Sequence, residues 1–204
     1  MSPKIVNRER KRRDILRAAI EVVGRRGIRN VTMAEIARTA GMGKATIYEY
    51  FSGKEEVYGA TIQEYLDRAG AAVAKEMFRA RGPREKLSAL LGGWLRSTVN
   101  ESDELIMLFL DVWTEAIRGT GTGIGDTLDL RAFFQEYREL VASILQEGID
   151  AGELRPMDTE TVAGGLLAAV DGVLLQWLLD RDNVDVVRAA DTLVDIFWNG
   201  IRAR

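Results

Sequence analysis

The sequence of 204 residues contains neither cysteine nor histidine. Without thiols no disulfide can form, and without thiolate or imidazole ligands the usual zinc sites cannot be built. A serine nucleophile would also lack the imidazole that normally accepts its proton. We therefore expect no enzymatic activity, no metal site and no cofactor. The remaining enzyme hypothesis is carboxylate chemistry at Asp111 and Glu115, for which the sequence offers no motif.

The sequence also lacks an N-terminal signal segment, and no apolar run approaches the ~18 residues that a membrane span requires. Hydrophobic residues make up 47% and charged residues 29% of the chain, which is typical of a folded globular protein. The cytoplasm is the expected compartment, and no membrane partner is expected. A chain of this length is expected to form one or two domains.

The two ends of the chain differ in charge, although the net charge is only −3. Residues 1–58 contain 13 basic and 7 acidic side chains, which leaves 15 of the 28 basic and 24 of the 31 acidic residues for the remainder. The first part therefore carries +6 and the rest −9. Such opposite charges indicate an end that binds a polyanion and an acidic, solvated body, with chance variation in surface charge as the alternative.

Apolar residues recur at three- and four-residue steps along most of the chain, and no strand-like alternation of useful length occurs. This periodicity predicts an all-α fold. The predicted helices span residues 10–23, 32–40, 45–51, 54–79, 83–99, 103–117, 126–151, 158–177 and 187–201. The helix at 103–117 is apolar on nearly every face, so we expect it to be central and buried. The glycine- and threonine-rich segment 119–125 lacks a phosphate-loop motif and is predicted to be a flexible connection.

Two short sequences predict helix starts. The segments TMAE, beginning at Thr32, and SGKE, beginning at Ser52, both have the spacing of a capping box. In that motif the first hydroxyl accepts a hydrogen bond from the amide three residues later, and the glutamate side chain accepts one in return. The boxes therefore predict pairs between Thr32 and Glu35 and between Ser52 and Glu55.

Segment 33–51 has the steric pattern of a helix-turn-helix. Its expected hydrophobic centre consists of Ile36, Ala40, Met42 and Ile47. Ala37 is small enough to let the second helix approach closely, and Gly41 can adopt the positive φ that a tight turn between helices demands. The segment is therefore predicted to place its second helix as a DNA-recognition helix.

In this geometry the side chains that face outward are Lys44, Ala45, Thr46, Tyr48 and Glu49. A lysine can reach a phosphate or a guanine edge, an alanine leaves room in the major groove, and the two hydroxyls can bind phosphates. Lys54 and Thr32 each lie at a helix start, where free amides also attract phosphate. We expect these residues to contact double-stranded DNA.

The segment TMAEIARTAGMGKATIYEYFSGKEEVY resembles the DNA-binding signature of the TetR family of bacterial regulators, and the likeness extends from Ile15 to about Tyr58. The resemblance implies DNA-contacting roles for Thr32, Lys44, Thr46, Tyr48 and Lys54. Gly43 stands where the family often has serine, which can cap the recognition helix. The loss of that hydroxyl is expected to weaken the helix start or one phosphate contact.

Two features near the motif leave alternatives open. We expect Tyr50 and Phe51 to be core aromatics, whereas Tyr48 is expected to face outward because Ile47 already takes the inward position. The basic cluster Arg8, Arg10, Lys11, Arg12 and Arg13 is either a solvated helix face or an arm that adds phosphate or minor-groove contacts.

The remainder of the chain is expected to pair two copies and to bind a small molecule. The resemblance implies a helical bundle that forms a homodimer through its last two helices and encloses an effector pocket. Small residues at three- to four-residue steps support close helix pairing; they are Gly165, Ala168, Ala169 and Gly172. A two-fold protein reads the two half-sites of a palindromic operator.

Apolar walls with a few polar groups are typical of small-molecule sites. The pocket candidates are Trp94, Met107, Leu110, Asp111, Trp113, Phe134, Tyr137 and Trp177. Asp111 lies within an apolar helix and needs a partner, for which Arg118, Arg138 and a cationic ligand are the candidates. Asp171 raises the same question and is an alternative contact within the dimer interface.

The sequence therefore predicts an N-terminal three-helix DNA-binding domain at residues 1–53 and a larger helical ligand-binding and dimerisation domain at residues 54–204. The predicted function is that of a homodimeric, sequence-specific transcriptional repressor that a small-molecule effector releases from its operator. The alternative from another class is an architectural DNA-binding protein without an effector, which would show little sequence discrimination.

Overall fold

The computed structural model describes residues 3–119 and 128–203, with side chains from residue 7 onwards. The helices in these ranges are α1 (Pro3–Arg26), α2 (Met33–Thr39), α3 (Lys44–Tyr48), α4 (Lys54–Arg79), α5 (Pro83–Val99), α6 (Asp103–Arg118), α7 (Leu130–Asp150), α8 (Thr159–Leu179) and α9 (Val186–Ile201), with a 3-10 turn at Ile28–Asn30. No strand occurs in the described ranges, where the only β-type pairing is an isolated bridge between Leu154 and Arg202. The predicted all-α fold is confirmed. Most of segment 119–125 lies outside the described residues.

Two elements at the N-terminal end differ from the prediction. Helix α1 begins at Pro3 rather than at residue 10. The prediction missed these turns because the regular apolar spacing begins only at Ile15. Helix α3 ends at Tyr48 rather than at residue 51. The 3-10 turn Ile28–Asn30, hereafter the 28–30 turn, was not predicted at all.

The structure confirms the predicted capping box at Thr32, whereas the predicted partner of Ser52 is wrong. The amide of Glu35 donates to the Thr32 hydroxyl at 3.3 Å, and the Thr32 amide donates to the Glu35 carboxylate at 3.0 Å. At the second box, the amide and hydroxyl of Ser52 both donate to Glu56, each at 2.7 Å, instead of to Glu55. Since α4 begins at Lys54, the third helical position belongs to Glu56.

The chain folds into two compact units. The first comprises Met1–Asp67 and Glu101–Leu130, and the second comprises Arg68–Asn100 and Arg131–Arg204. The first unit thus contains α6 in addition to the three N-terminal helices. The functional boundary between residues 53 and 54 stays a prediction.

In the first unit, α1 packs against both α2 and α6. The two helices approach closely at Gly24, where an added Cβ would lie 2.1 Å from the Cγ atom of Glu104. Only a glycine fits at this crossing without displacing its neighbour. Ile15 and Ala19 supply the buried face of α1, and neither is exposed to solvent.

In the second unit, α5 packs mainly against α9 and also contacts α8, which in turn packs on α9. The Lys86 ammonium is 2.7 Å from the Glu147 carboxylate and joins α5 to α7, while Arg84 pairs with Asp195 of α9. After α9, the amide of Ala203 donates to the carbonyl of Glu153 at 2.9 Å. The chain end is thereby fixed to the turn that follows α7.

Helix α6 was expected to be central and buried, and this prediction is wrong for part of its surface. Ile117 is 75% exposed and Met107 is also exposed, whereas Glu115 is only 8% exposed. The apolar content of α6 predicted the buried positions Leu108 and Val112 correctly. It could not reveal that a distant arginine would allow a glutamate to be buried.

Helix α8 is long and apolar enough, by length and composition alone, to cross a membrane, contrary to the expectation that no apolar run approaches that length. Buried helices of globular proteins satisfy the same two criteria. Only 22% of its apolar stretch is buried within the chain, and Leu179 at its end is 83% exposed. Within a single copy of the chain, this helix therefore leaves an unusual amount of apolar surface exposed.

Candidate nucleic-acid interface and effector region

The turn between α2 and α3 has the geometry that the sequence predicts. Gly41 has a φ of 69°, in the left-handed region that favours glycine. The amide of Met42 donates to the carbonyl of Ala37 at 2.9 Å, which closes the turn. Ile36, Ala37 and Ile47 are buried at the centre of the motif. Of the predicted hydrophobic centre, Ile36 and Ile47 are buried, whereas Ala40 and Met42 are only half-buried, so the predicted packing is present in part.

Helix α3 presents most of the predicted outward residues. Lys44, Ala45 and Glu49 are exposed, Tyr48 is 47% exposed, and Thr46 is half-buried. Ile47 alone among the residues of α3 points into the core. Helix α3 therefore combines one inward apolar side chain with an outer face of polar or small side chains.

Gly43 precedes α3 in an extended conformation and provides no side-chain cap. Its carbonyl instead accepts hydrogen bonds from the amides of Thr46 and Ile47 at 3.0 and 3.3 Å. The helix has only five residues and lacks a capping hydroxyl, so its position depends on the packing around it.

The two predicted phosphate contacts at helix starts already have partners within the chain. The Thr32 hydroxyl donates to Glu35 at 3.0 Å, and the hydrogen bonds from Thr32 hold the pKa of Glu35 below its usual value, with smaller contributions from Arg26 and Arg38. The Lys54 ammonium donates to the carbonyls of Ile28 and Arg29 at 3.4 and 3.3 Å.

The basic cluster on α1 is helical, and two of its arginines cover aromatic rings. The guanidinium of Arg8 lies 5.9 Å from the ring centre of Tyr50, and that of Arg12 lies 5.5 Å from the ring centre of Phe51. Phe51 is buried, as predicted, and Tyr50 is half-buried. Arg12 also approaches Glu64 of α4 at 3.9 Å. These arginines hold the first turns of α1 against the segment that follows α3.

In the second unit, three aromatic rings lie in mutual contact. The ring centre of Trp94 is 5.6 Å from that of Phe133 and 5.7 Å from that of Tyr137, and the rings of Phe133 and Tyr137 stack at 5.8 Å. The Tyr137 hydroxyl donates to the carbonyl of Leu90 at 3.1 Å, which orients its ring. We call this group the aromatic cluster. The structure thus brings together two of the predicted pocket residues, Trp94 and Tyr137.

Two further pocket candidates of the second unit lie beside other partners. Phe134 meets the edge of Phe133 with ring centres 5.6 Å apart. Trp177 lies near the end of α8, where the guanidinium of Arg181 is 4.5 Å from its ring centre. The remaining candidates, Met107, Leu110, Asp111 and Trp113, belong to α6 and therefore to the first unit.

Asp111 lines a pocket of about 270 Å³ in the first unit, together with Arg29, Glu115 and Arg118. Arg118 pairs with Glu115 at 3.5 Å rather than with Asp111. Glu115 also forms an ion pair with Arg29, with the two atoms 2.6 Å apart. The hydrogen bond and charge of Glu115 raise the pKa of Arg29, and the charge of Asp111 adds to this effect.

Sequence reasoning missed Phe133 and Arg29 as members of these groups. Phe133 lies four residues before Tyr137, and this helical spacing was an available signal. The pairing of Arg29 with Glu115 spans 86 residues, and no local pattern reveals a contact over such a distance.

Comparison with known protein families gives two matches. Residues 15–61 match the family described as bacterial regulatory proteins, tetR family. Residues 83–197 match the family described as BetI-type transcriptional repressor, C-terminal. The second match covers more than half of the chain and includes the whole aromatic cluster.

Curated relatives match along nearly the whole chain. The HTH-type transcriptional regulator BetI of Rhizobium meliloti is 32% identical over 185 residues, which cover 90% of this chain and 86% of the relative. The regulator BetI of Agrobacterium fabrum is 29% identical over 96% of this chain and 90% of its own length.

Solved structures share the fold. A transcriptional regulator from Saccharomonospora viridis in complex with choline is 26% identical, with a TM-score of 0.80 over 96% of this chain and all of the other. FadR from Bacillus subtilis in complex with stearoyl-CoA is 21% identical, with a TM-score of 0.77 over 92% of this chain and 98% of the other. The latter likeness shows the fold alone.

Proposed function

The chain belongs to the TetR family of bacterial regulatory proteins and is a transcriptional regulator; we propose that it is a homodimeric repressor that leaves a palindromic operator when a small organic cation binds. The family membership confirms the resemblance found on residues 15–58. The relatives are regulators rather than enzymes, in agreement with the expectation from composition. The expected compartment of such a repressor is the cytoplasm.

The DNA-binding surface consists of Thr32, Gly43, Lys44, Ala45, Thr46, Tyr48 and Lys54. The exposed face of α3 supports major-groove recognition, because its outward side chains are polar or small and Ile47 holds it to the core. Lys54 uses two of its three N–H donors on the carbonyls of the 28–30 turn. The third donor remains for a phosphate.

The last two helices support pairing of two copies. Apolar side chains are exposed on both, among them Leu175 and Leu179 on α8 and Ile196 on α9. The glycines Gly165 and Gly172 have open space beside them, so another helix can approach closely. A second copy that covers these faces would bury the apolar surface that a single chain leaves exposed.

The aromatic cluster is the observation that carries the proposed effector class. Rings attract cations through their electron-rich faces, and quaternary ammonium groups are commonly bound in this way. Trp94, Phe133 and Tyr137 bring three rings of this kind together within the BetI-type segment. The choline complex of the Saccharomonospora viridis regulator supports a ligand of this chemistry. Ligand binding would release DNA if the ligand binds the DNA-incompetent state more tightly.

The test combines DNA binding with two matched amines. An inverted repeat is first enriched from random duplex DNA by the wild-type protein, and its affinity is measured by fluorescence anisotropy. Choline is expected to weaken this affinity by about 5–150-fold, the usual range of such coupling. Ethanolamine, which lacks the three methyl groups, is the control and is expected to act far more weakly.

Replacing Trp94 or Tyr137 with alanine is expected to abolish the choline effect while leaving operator affinity within about twofold. An equal response to both amines would exclude recognition of the quaternary group. A protein without preference for any palindrome would support the architectural alternative instead.

A further inference from the structure

We propose that Arg29 and Glu115 are positioning residues for DNA recognition: their ion pair fixes the helix-turn-helix on α6. The proposal rests on the proposed function as a dimer on a palindrome, because it concerns how a recognition helix is presented to its half-site. It assigns neither residue to a contact with DNA or effector.

The burial of Glu115 is the first observation. It is the one buried charged side chain in the parts of the chain that the structure describes, and it lies within the last turn and a half of α6. A carboxylate in such a site needs charged or hydrogen-bonding partners, since an unpaired buried charge is costly. Arg29 supplies a direct hydrogen bond of 2.6 Å, and Arg118 lies at the longer distance of 3.5 Å.

The 28–30 turn carries Arg29 and connects directly to the DNA-binding helices. The carbonyl of Ile28 accepts hydrogen bonds from the Tyr58 hydroxyl and from Lys54, both at 3.4 Å, so α4 holds the backbone of the turn. Thr32, two residues after the turn, caps α2. A displacement of Arg29 would therefore move the start of α2 and, with it, the recognition helix.

A second contact lies at the opposite end of α6. Gly24 in the last two turns of α1 abuts Glu104, in the first turn of α6. Glu104 and Glu115 are 11 residues apart, which corresponds to ~16 Å along a helix axis. A single contact would let the N-terminal helices pivot on α6, whereas two contacts at this separation also fix their orientation. The pair Arg29–Glu115 thus sets the angle at which the three N-terminal helices lie on α6.

This angle matters for an operator with two half-sites. A dimer gains affinity from simultaneous engagement only if both recognition helices match the half-site separation. A loosened helix-turn-helix would still bind one half-site but would lose part of the gain from the second. The ratio of full-site to half-site affinity therefore reports positioning, whereas a loss of DNA contacts or of folding lowers both affinities.

The experiment compares two pairs of variants. Glu115→Gln and Arg29→Gln break the proposed positioning pair. Glu21→Gln and Arg25→Gln are the controls, since these residues form an exposed pair at 2.8 Å within α1 and carry the same charges in the same unit. Each variant binds the enriched inverted repeat and a duplex with one half-site, over a range of salt concentrations, in fluorescence anisotropy.

We expect Glu115→Gln and Arg29→Gln each to lower the full-site to half-site ratio by at least about fivefold, with no further loss in the double variant because the two residues act as one pair. Half-site affinity and its salt dependence should match those of the controls. Arg29→Lys, which keeps the positive charge, should have a full-site to half-site ratio between those of Arg29→Gln and wild type. The exchange variant, with Arg29→Glu and Glu115→Arg together, should have a higher ratio than either of these two substitutions alone.

A ratio within twofold of wild type in both variants would overturn the proposal. So would a salt slope reduced by about 0.9 in Arg29→Gln relative to Arg25→Gln, which would identify Arg29 as a phosphate contact. If the glutamine variants do not fold, failure of the folded exchange variant to restore the ratio overturns it. A wild-type protein without full-site preference overturns the palindrome model itself, and with it this proposal, before any variant is compared.

Discussion

Asp171 is a half-buried carboxylate on α8, the most apolar long helix of the second unit. Burial raises the pKa of Asp171 to about 6 from an ordinary value near 3.8. The folded protein therefore holds this proton more tightly than the unfolded chain does. Ionisation of Asp171 lowers stability above pH 6, and this loss is relieved as the pH falls through 6 towards 4.

Asp171→Asn removes the ionisable carboxyl and therefore removes this loss of stability. The variant should be more stable than wild type at pH 8 by about 1–3 kcal/mol, and the gain should shrink towards zero near pH 4. Chemical unfolding at the two pH values measures it. Asp191→Asn, an exposed position on α9, is the control, and an equal gain in that variant would show that the effect does not come from burial.

The exposed side chains of α3 give a second prediction at the scale of single residues. Lys44→Ala should weaken operator binding and reduce its salt slope by about 1, because one phosphate or base contact is lost. Tyr48→Phe removes only the hydroxyl and should cost about 1 kcal/mol of binding. Both variants should unfold at the wild-type temperature, since neither side chain is buried. Glu49→Gln is the control for an exposed neighbour that carries no assigned contact.

At the scale of helices, local chemistry predicted some boundaries and not others. Thr32 starts α2 and Pro83 starts α5 where the sequence placed them, because caps and first-turn prolines act within a few residues. The start of α1 was missed because no apolar periodicity extends before residue 10, and the contact of Arg8 with the ring of Tyr50 leaves no local signal. Contacts across the fold leave no periodic signal in the sequence.

The same limit applies to the candidate sites. The outer face of α3 was predictable because the adjacent residues Ile47 and Tyr48 point inward and outward within a single turn. The aromatic cluster was predicted only in part: Trp94 and Tyr137 were among the pocket candidates, whereas Phe133 was missed although it lies one helical turn before Tyr137. The burial of Glu115 depends on Arg29, which follows from tertiary structure alone.

The crossing of α1 and α6 yields a prediction that opposes helix propensity. Alanine normally stabilises a helix relative to glycine by about 1 kcal/mol. Gly24→Ala should nevertheless destabilise the protein by about 1–3 kcal/mol, because its Cβ would meet the side chain of Glu104 at 2.1 Å. Gly70→Ala in α4 has open space around it and should be neutral or stabilising. Equal stabilisation of both variants, measured by thermal unfolding, would contradict the crossing.

At the scale of the whole molecule, the exposed apolar faces of α8 and α9 bear on assembly. Leu179→Glu combined with Ile196→Glu should convert the dimer to a monomer, because two charges would be buried in the proposed interface. Light scattering after size-exclusion chromatography measures the mass. Phe78→Glu is the control, since Phe78 is also apolar and even more exposed but lies on α4. Dissociation by the control, or a dimer in the double variant, would contradict the pairing of the last two helices.

The pair Arg29–Glu115 also has a consequence for the order in which a nascent chain becomes functional. The contacts among α1, α2 and α3 are local and can form early, whereas the packing of α1 on α6 and the pair itself, which closes a loop of 86 residues, must wait for α6. Synthesis from the N-terminus exposes the recognition helix well before Glu115 leaves the ribosome. During that interval the chain has a folded helix-turn-helix whose orientation is not yet fixed by α6. We expect a ribosome stalled before residue 103 to display single half-site binding, and the operator-specific mode to begin only when α6 is complete.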